Sequence, residues 1–338
     1  MESRSQNTEN YKLSNSNGIE IEFISYGGRL KSIKTPDRNG IIEDILLGYN
    51  TLEEYLAGDY YIGALCGRYA NRIENGVYMS DGKKIQLTQN NDGNHLHGGF
   101  TGFHAKLWNV TKNGNSYVLS LHSEDGEEGY PGNVDVEVTY SLTDDNKLII
   151  DYKAVTDKPT HINLTSHGYF NLGGEGNGNI TNHFLKLNAD HFTPLTEKSV
   201  PSGEIRSVAG IAMDFRETKK VISALETNYE QIELVGGIDH NWILNGRENE
   251  LKPAAELYEE QSGRVMEMYT TQPGVQVYVG LHFNGEKGKS GKSYNKYGGI
   301  AIEGQHFPNS PNIHEFPSTL IKPGQTYKQR CIYKFLTR

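Results

Sequence analysis

The sequence predicts an all-β chain, a large antiparallel β-sandwich with few short helices. Three observations predict it. The first is periodicity. Val134, Val136, Val138, Tyr140 and Leu142 alternate with Asp135, Glu137, Thr139, Ser141 and Thr143. Period two with one apolar and one polar face is the signature of an antiparallel strand with a wet side. The second is composition, with 38 Gly and 21 Tyr in 338 residues. Glycine supplies the positive-φ positions of turns, and tyrosine suits a half-buried pleated surface. The third is the scarcity of helix signals.

Taken in chain order, the polar segment MESRSQNTEN reads as a disordered leader over residues 1–10. Residues 11–338 read as one domain, because no linker divides them. Strand patterns appear around 20–25, 116–122, 184–188, 231–235, 275–282 and 299–303. After Val134–Thr143, the residues Asp144, Asp145 and Asn146 break the pattern, and Leu148, Ile150, Tyr152 and Ala154 resume it. Two strands joined by a short Asp/Asn turn make a hairpin. The last strand, 326–336, sets Tyr327, Gln329, Cys331, Tyr333 and Phe335 on one side, after a Pro323-Gly324 turn. The clearest helix is 52–57: Thr51 and Glu54 form a capping box and Gly58 closes it. A short turn is expected at 221–225. The Gly/Asn-rich stretches 173–180 and 284–298 read as surface loops. Gly173, Gly174, Gly176 and Gly178 precede no helix, which argues against phosphate binding there.

Net charge is −9. Such a surface repels nucleic acid and anionic membranes, and leaves a neutral substrate unopposed. No run approaches the ~20 apolar residues of a membrane span, and the N-terminus lacks an apolar signal core. A cytoplasmic chain is the expectation, with a processed periplasmic form the alternative. Cys66 and Cys331, the two cysteines, read as buried thiols rather than a bridge.

Five segments concentrate polar groups where an apolar pattern would be expected. Gly67-Arg68-Tyr69-Ala70-Asn71-Arg72-Ile73 offers surface salt bridges, or an Asn71-Arg72 pair reaching hydroxyls. Asn94-His95-Leu96-His97-Gly98-Gly99 contains an H-x-H pair. Alternate strand residues share a face and can bind zinc, but no third ligand lies nearby, so loop and active-site readings compete. Asn163 to Leu172 packs hydroxyl, amide and imidazole groups around His167, with Gly168 for close approach and Tyr169-Phe170 for stacking. Gly237 to Trp242 sets Asp239 beside an amide and an indole, a common grip for a sugar, or forms a simple turn at a strand entry. Glu303 ends an apolar strand. It is either the strand's solvated end or a carboxylate in a dry pocket, where burial raises its pKa and poises it as a base.

Together and in this order, the phrases GRYANRI, NHLHGG, NLTSHGYFNL, GIDHNW, TTQPGVQVY and AIEGQHFPNSPN resemble the aldose 1-epimerase family. The resemblance runs from about residue 11 to 336 and includes SYGGRLKSIKTPDRNG and FPSTLIKPG. It implies a single-domain sandwich, a free aldose as substrate, and no metal or organic cofactor. It implies Glu303 as general base, His167 as general acid and His97 as a second pocket histidine that shares the acid role or holds a hydroxyl. Asn71 and Arg72 match a substrate-gripping pair, and Asp239 a hydroxyl-holding carboxylate. Gln276, or Gln272 in the same motif, matches a further polar contact, and Tyr169 lines the pocket. Glu303 would start ionised and His167 protonated. Gly168 and Gly304 depart from the family pattern and would leave the pocket wider. A monomer or homodimer is expected. A non-catalytic sugar-binding protein, a sugar-phosphate epimerase and a β-sandwich glycoside hydrolase are the alternatives.

Overall fold

The computed structural model describes residues 9–58 and 60–338. Residues 1–8 of the expected leader lie outside them, and its end already belongs to a strand, Asn10–Ser14. Among the described residues, two large antiparallel sheets dominate. The nine-stranded sheet grows from the predicted hairpin. Val134–Leu142 pairs with Lys147–Thr156, setting Val138 opposite Tyr152 and Tyr140 opposite Ile150. Val134, Val136, Val138 and Tyr140 are buried, whereas Asp135 and Glu137 are exposed. The last strand, Thr326–Thr337, lies between Lys147–Thr156 and Arg264–Thr270. Its five expected inward residues, from Tyr327 to Phe335, are all buried.

The six-stranded sheet runs Tyr169–Phe170, Ile300–Gln305, Gly274–Tyr278, Asp239–Ile243, His191–Thr193 and Arg206–Ser207. It packs face to face on the first sheet. The Tyr333 hydroxyl donates to the Ile302 carbonyl at 2.9 Å, and Gln329 Nε2 to the Gly304 carbonyl at 2.9 Å. A Cβ on Gly304 would stand 2.7 Å from Thr270 Oγ1 and 2.8 Å from Cys331 Sγ. Gly304 is therefore a close-packing glycine between the sheets and does not widen a pocket. Gly168 likewise faces Leu46 and Phe170. Both cysteines are buried and unpaired, as expected of thiols in apolar strands.

The capping box forms as predicted: Thr51 and Glu54 bond each other's backbone at the start of Leu52–Ala57. The 221–225 turn is a one-turn helix, Ile222–Leu225. Two expectations fail. The strand predicted at 231–235 is the helix Glu230–Val235, closed by left-handed Gly236. Six residues are too few to separate a period of two from 3.6. Gln231 is buried because its amide pairs with the Leu195 backbone. The loop predicted at 284–298 holds a hairpin, Asn284–Lys287 with Ser293–Asn295. It is anchored by buried Tyr294, whose hydroxyl donates to the Gly48 carbonyl at 2.7 Å.

Several histidines are buried in this framework. Burial pushes His95, His161, His183, His240 and His306 down from 6.5 to about 4. The unfolded chain binds protons below about 6.5, whereas the folded chain resists until about 4. Stability is therefore full above that window and falls as pH drops through it. Urea unfolding at about pH 7 and about pH 4.5 checks the sign. A lower midpoint at the acid pH is expected, and an equal or higher one would contradict it.

Candidate active site

Strand register assembles the floor. Residues directly opposite on neighbouring strands share a face. Glu303 lies opposite Gln276, and Gln276 opposite Asn241. Asp239, two residues from Asn241, shares that face. Ile302 and Gly304 point into the core, so Glu303 points the other way, yet it is only 1% exposed because loops cover it. Gln276 Nε2 donates to Asp239 Oδ1 at 2.7 Å.

Loops supply the walls. Arg72–Ile73 pairs with His95–Leu96, joining two of the polar phrases. The Asn71 N–H donates to His97 Nδ1 at 3.1 Å, and the His97 N–H returns to the Asn71 carbonyl at 3.1 Å. Arg72 Nη1 reaches Asp239 Oδ2 at 3.4 Å. The His167 N–H donates to the Ala64 carbonyl at 2.8 Å. Its ring places Nε2 3.6 Å from Glu303 Oε1. The His167 ring lies 5.2 Å from that of His97 and 4.8 Å from that of Tyr169. Tyr61 completes this cluster of tilted and edge-on rings, 4.6 Å from His97.

Asn71, Arg72, His97, His167, Tyr169, Asp239 and Glu303 thus line one cleft of about 340 Å³. Six polar phrases spread along the chain converge there. A family model for aldose 1-epimerase matches residues 9–334. The chain belongs to the aldose 1-epimerase family. It is 42% identical to the galactose mutarotase of Bos taurus over 95% of this chain and 92% of that protein. It is 36% identical to the aldose 1-epimerase of Escherichia coli (strain K12), over 96% and 94%. Among solved structures, an aldose epimerase homologue from C. elegans superposes with TM-score 0.90 at 30% identity, covering 98% of this chain and 99% of that one. A galactose 1-epimerase from Lactobacillus acidophilus NCFM gives 0.86 at 30% identity, covering 100% and 97%.

Several residues fall elsewhere than their motifs suggested. Trp242 is fully buried, with its indole N–H donating to the Met213 carbonyl at 3.1 Å. It is core and not a sugar platform. Phe170 packs on Tyr333, leaving only Tyr169 at the cleft. Arg68 makes no surface salt bridge. Its guanidinium is buried against Ser123 and the carbonyls of Glu124 and Pro131. The H-x-H pair does not share a face, because His97 turns left-handed at φ 50°. His95 instead bonds the Thr88 carbonyl and Tyr130. Neither Gln272 nor Gln276 lines the cleft, and Gln276 acts on it through Asp239. The motifs did not single out Tyr61, Asn91 or Tyr278, which also line it. Tyr278 was findable, since it is two residues from Gln276 on the same strand.

Electrostatics follow from the dry floor. Burial pushes the Glu303 carboxyl well above its usual range, and the charge of Asp239 adds to the effect. Burial pushes His167 down to about 4, and pushes His97 well below 6.5 with help from His167 and Arg72. Burial in this dry site thus works against the charged form of each partner, the ionised Glu303 and protonated His167 expected from sequence. His97 Nδ1 accepts a backbone N–H, so the neutral ring carries its proton on Nε2 and is a donor to the cleft. Nitrogen-detected NMR should show an Nε2–H tautomer that stays neutral as the pH falls through the ordinary histidine value of about 6.5. A His97 that titrates near 6.5 would overturn this.

Proposed function

We propose that this chain interconverts the α and β anomers of free aldoses, galactose and glucose among them, by opening and reclosing the sugar ring. The Glu303–His167 pair, 3.6 Å apart on a dry floor, carries the reading. Relatives named for galactose mutarotase and aldose 1-epimerase support the isomerase activity. Glu303 takes the proton from the C1 hydroxyl. The C1–O5 bond breaks, its electron pair goes to O5, and His167 delivers a proton there. Rotation about C1–C2 presents the other face of the aldehyde, and reclosure reverses each transfer. No electrons leave the sugar, so the chain needs only one base and one acid.

Burial of the pair fits this cycle. Ring opening converts carboxylate plus imidazolium into carboxylic acid plus imidazole, with no net proton gained. The burial that favours the neutral pair therefore stabilises the site while the sugar is an open aldehyde. A neutral His97 whose Nδ1 is taken by the Asn71 N–H and whose Nε2 carries the proton suits holding a sugar oxygen. Arg72, Asn71 and Asp239 position hydroxyls, Gln276 steadies Asp239, and Tyr169 forms the wall beside His167. A monomer or a homodimer is the assembly proposed. One main core reaching from Leu13 to Phe335 supports a single domain over residues 11–338. Two unpaired buried cysteines fit a reducing cytoplasm.

Polarimetry of fresh α-D-galactose and α-D-glucose tests the reading. Wild type should speed the drift to equilibrium. Glu303→Gln and His167→Asn should each cut turnover by about 10²–10⁴-fold while KM moves less. A wild type inert towards every aldose sinks the activity, and near-normal turnover in Glu303→Gln sinks the base.

A further inference from the structure

We infer that Asn91 is a positioning residue that sets the orientation of Arg72, and through it the grip on the sugar. The inference rests on the aldose-binding reading of Arg72. An arginine arm is long and flexible, and its Nε has a single N–H lying in the guanidinium plane. An acceptor at that N–H fixes where the remaining donors point. Asn91 Oδ1 is that acceptor, at 2.9 Å. The other bond of the head group is looser, 3.4 Å from Nη1 to Asp239 Oδ2. The tighter hold is thus on the side away from the carboxylate. Without it, Arg72 could swing fully onto Asp239, and each would consume the group that the other offers to a hydroxyl.

Asn91 is itself built to stay still. It opens the four-residue turn Asn91-Asp92-Gly93-Asn94, whose ends exchange backbone bonds of 3.1 and 2.7 Å. Asp92 has φ 46° and Gly93 φ 80°, the left-handed pair of a tight Asp-Gly hairpin turn. The flanks are pinned too. The Asn90 amide bonds both the N–H and the carbonyl of Leu96. The Asn94 amide bonds the Lys198 carbonyl and the Asn75 N–H. A rigid turn therefore presents one acceptor to one arginine, and the chain Asn91–Arg72–Asp239–Gln276 spans the site from loop to sheet.

A double-mutant cycle on galactose tests it, using Asn91→Ala, Arg72→Ala and the pair. Asn91→Ala should raise KM about tenfold with kcat moving about twofold or less. Asn91→Asp keeps the acceptor and should hold KM within about threefold. In the Arg72→Ala background, Asn91→Ala should add nothing. Circular dichroism melts verify that each variant is folded. If Asn91→Ala raises KM equally with and without Arg72, Asn91 touches the sugar itself and the inference is wrong. If it leaves KM unchanged while Arg72→Ala raises it, Arg72 needs no such support and the sugar reading stands alone. An unchanged KM in Arg72→Ala removes Arg72 from that reading, and the inference falls with it.

Discussion

The active site depends on the pairing of Ile300–Gln305 with Gly274–Tyr278. Alternation leaves Glu303 one orientation while Ile302 and Gly304 fill the core. A slip of one residue would bury the carboxylate between the sheets and turn Ile302 towards the cleft. Glycine enforces the register twice. A side chain at position 304 would collide with Thr270 and Cys331 of the other sheet. One at position 274 would stand 2.4 Å from Asn241 Oδ1. Catalytic geometry and inter-sheet packing are thus a single constraint.

That constraint explains what the sequence could and could not reveal. The Val134–Leu142 strand alternates cleanly because one of its faces meets water, and its hairpin and the final strand were legible for that reason. The central strands Ile300–Gln305 and Gly274–Tyr278 are buried on both faces, so IAIEGQ reads as a run of core with one odd Glu. The site's convergence was legible only through six polar phrases taken together. Individual fates were not, because the sequence does not say which way a loop residue turns. Arg68 and Arg72 lie four apart in one phrase, yet one braces the core and the other faces the cleft. Trp242 looked like a sugar platform but lies on the opposite face of the strand from Asp239. Helix Glu230–Val235 reads as a strand in the sequence because its six residues complete fewer than two turns.

The dry floor also decides the chemistry. In water a carboxylate and an imidazolium are each well solvated, and neither has reason to exchange a proton with a hydroxyl. Burial removes that solvation from both. It raises the basicity of Glu303 and the acidity of His167, the directions that the proposed ring opening asks of its base and its acid. Reclosure needs the opposite transfers, and the 3.6 Å approach of the pair lends the charged state its attraction. Two opposed terms of this kind suit a reversible reaction, because neither protonation state becomes a trap.

Three cleft residues other than glycine take the left-handed backbone region: Tyr61 at φ 55°, Asn71 at 62° and His97 at 50°. Such a conformation costs roughly 1 kcal/mol or more for a residue with a side chain. It persists where surroundings over-determine it. Here the reciprocal Asn71–His97 bonds and the packed, tilted rings of Tyr61, His97, His167 and Tyr169 do so. The cost is met once, on folding, and not again each time a sugar arrives. A neutral hexose offers no charge for long-range capture and no tight ionic anchor. Its binding energy comes from several hydroxyl contacts of modest strength, each lost if its partner must first be ordered. In the proposed reading, the strained loops, the His97 tautomer and the braced Arg72 all serve that same need, which is to have the donors in place before the substrate enters.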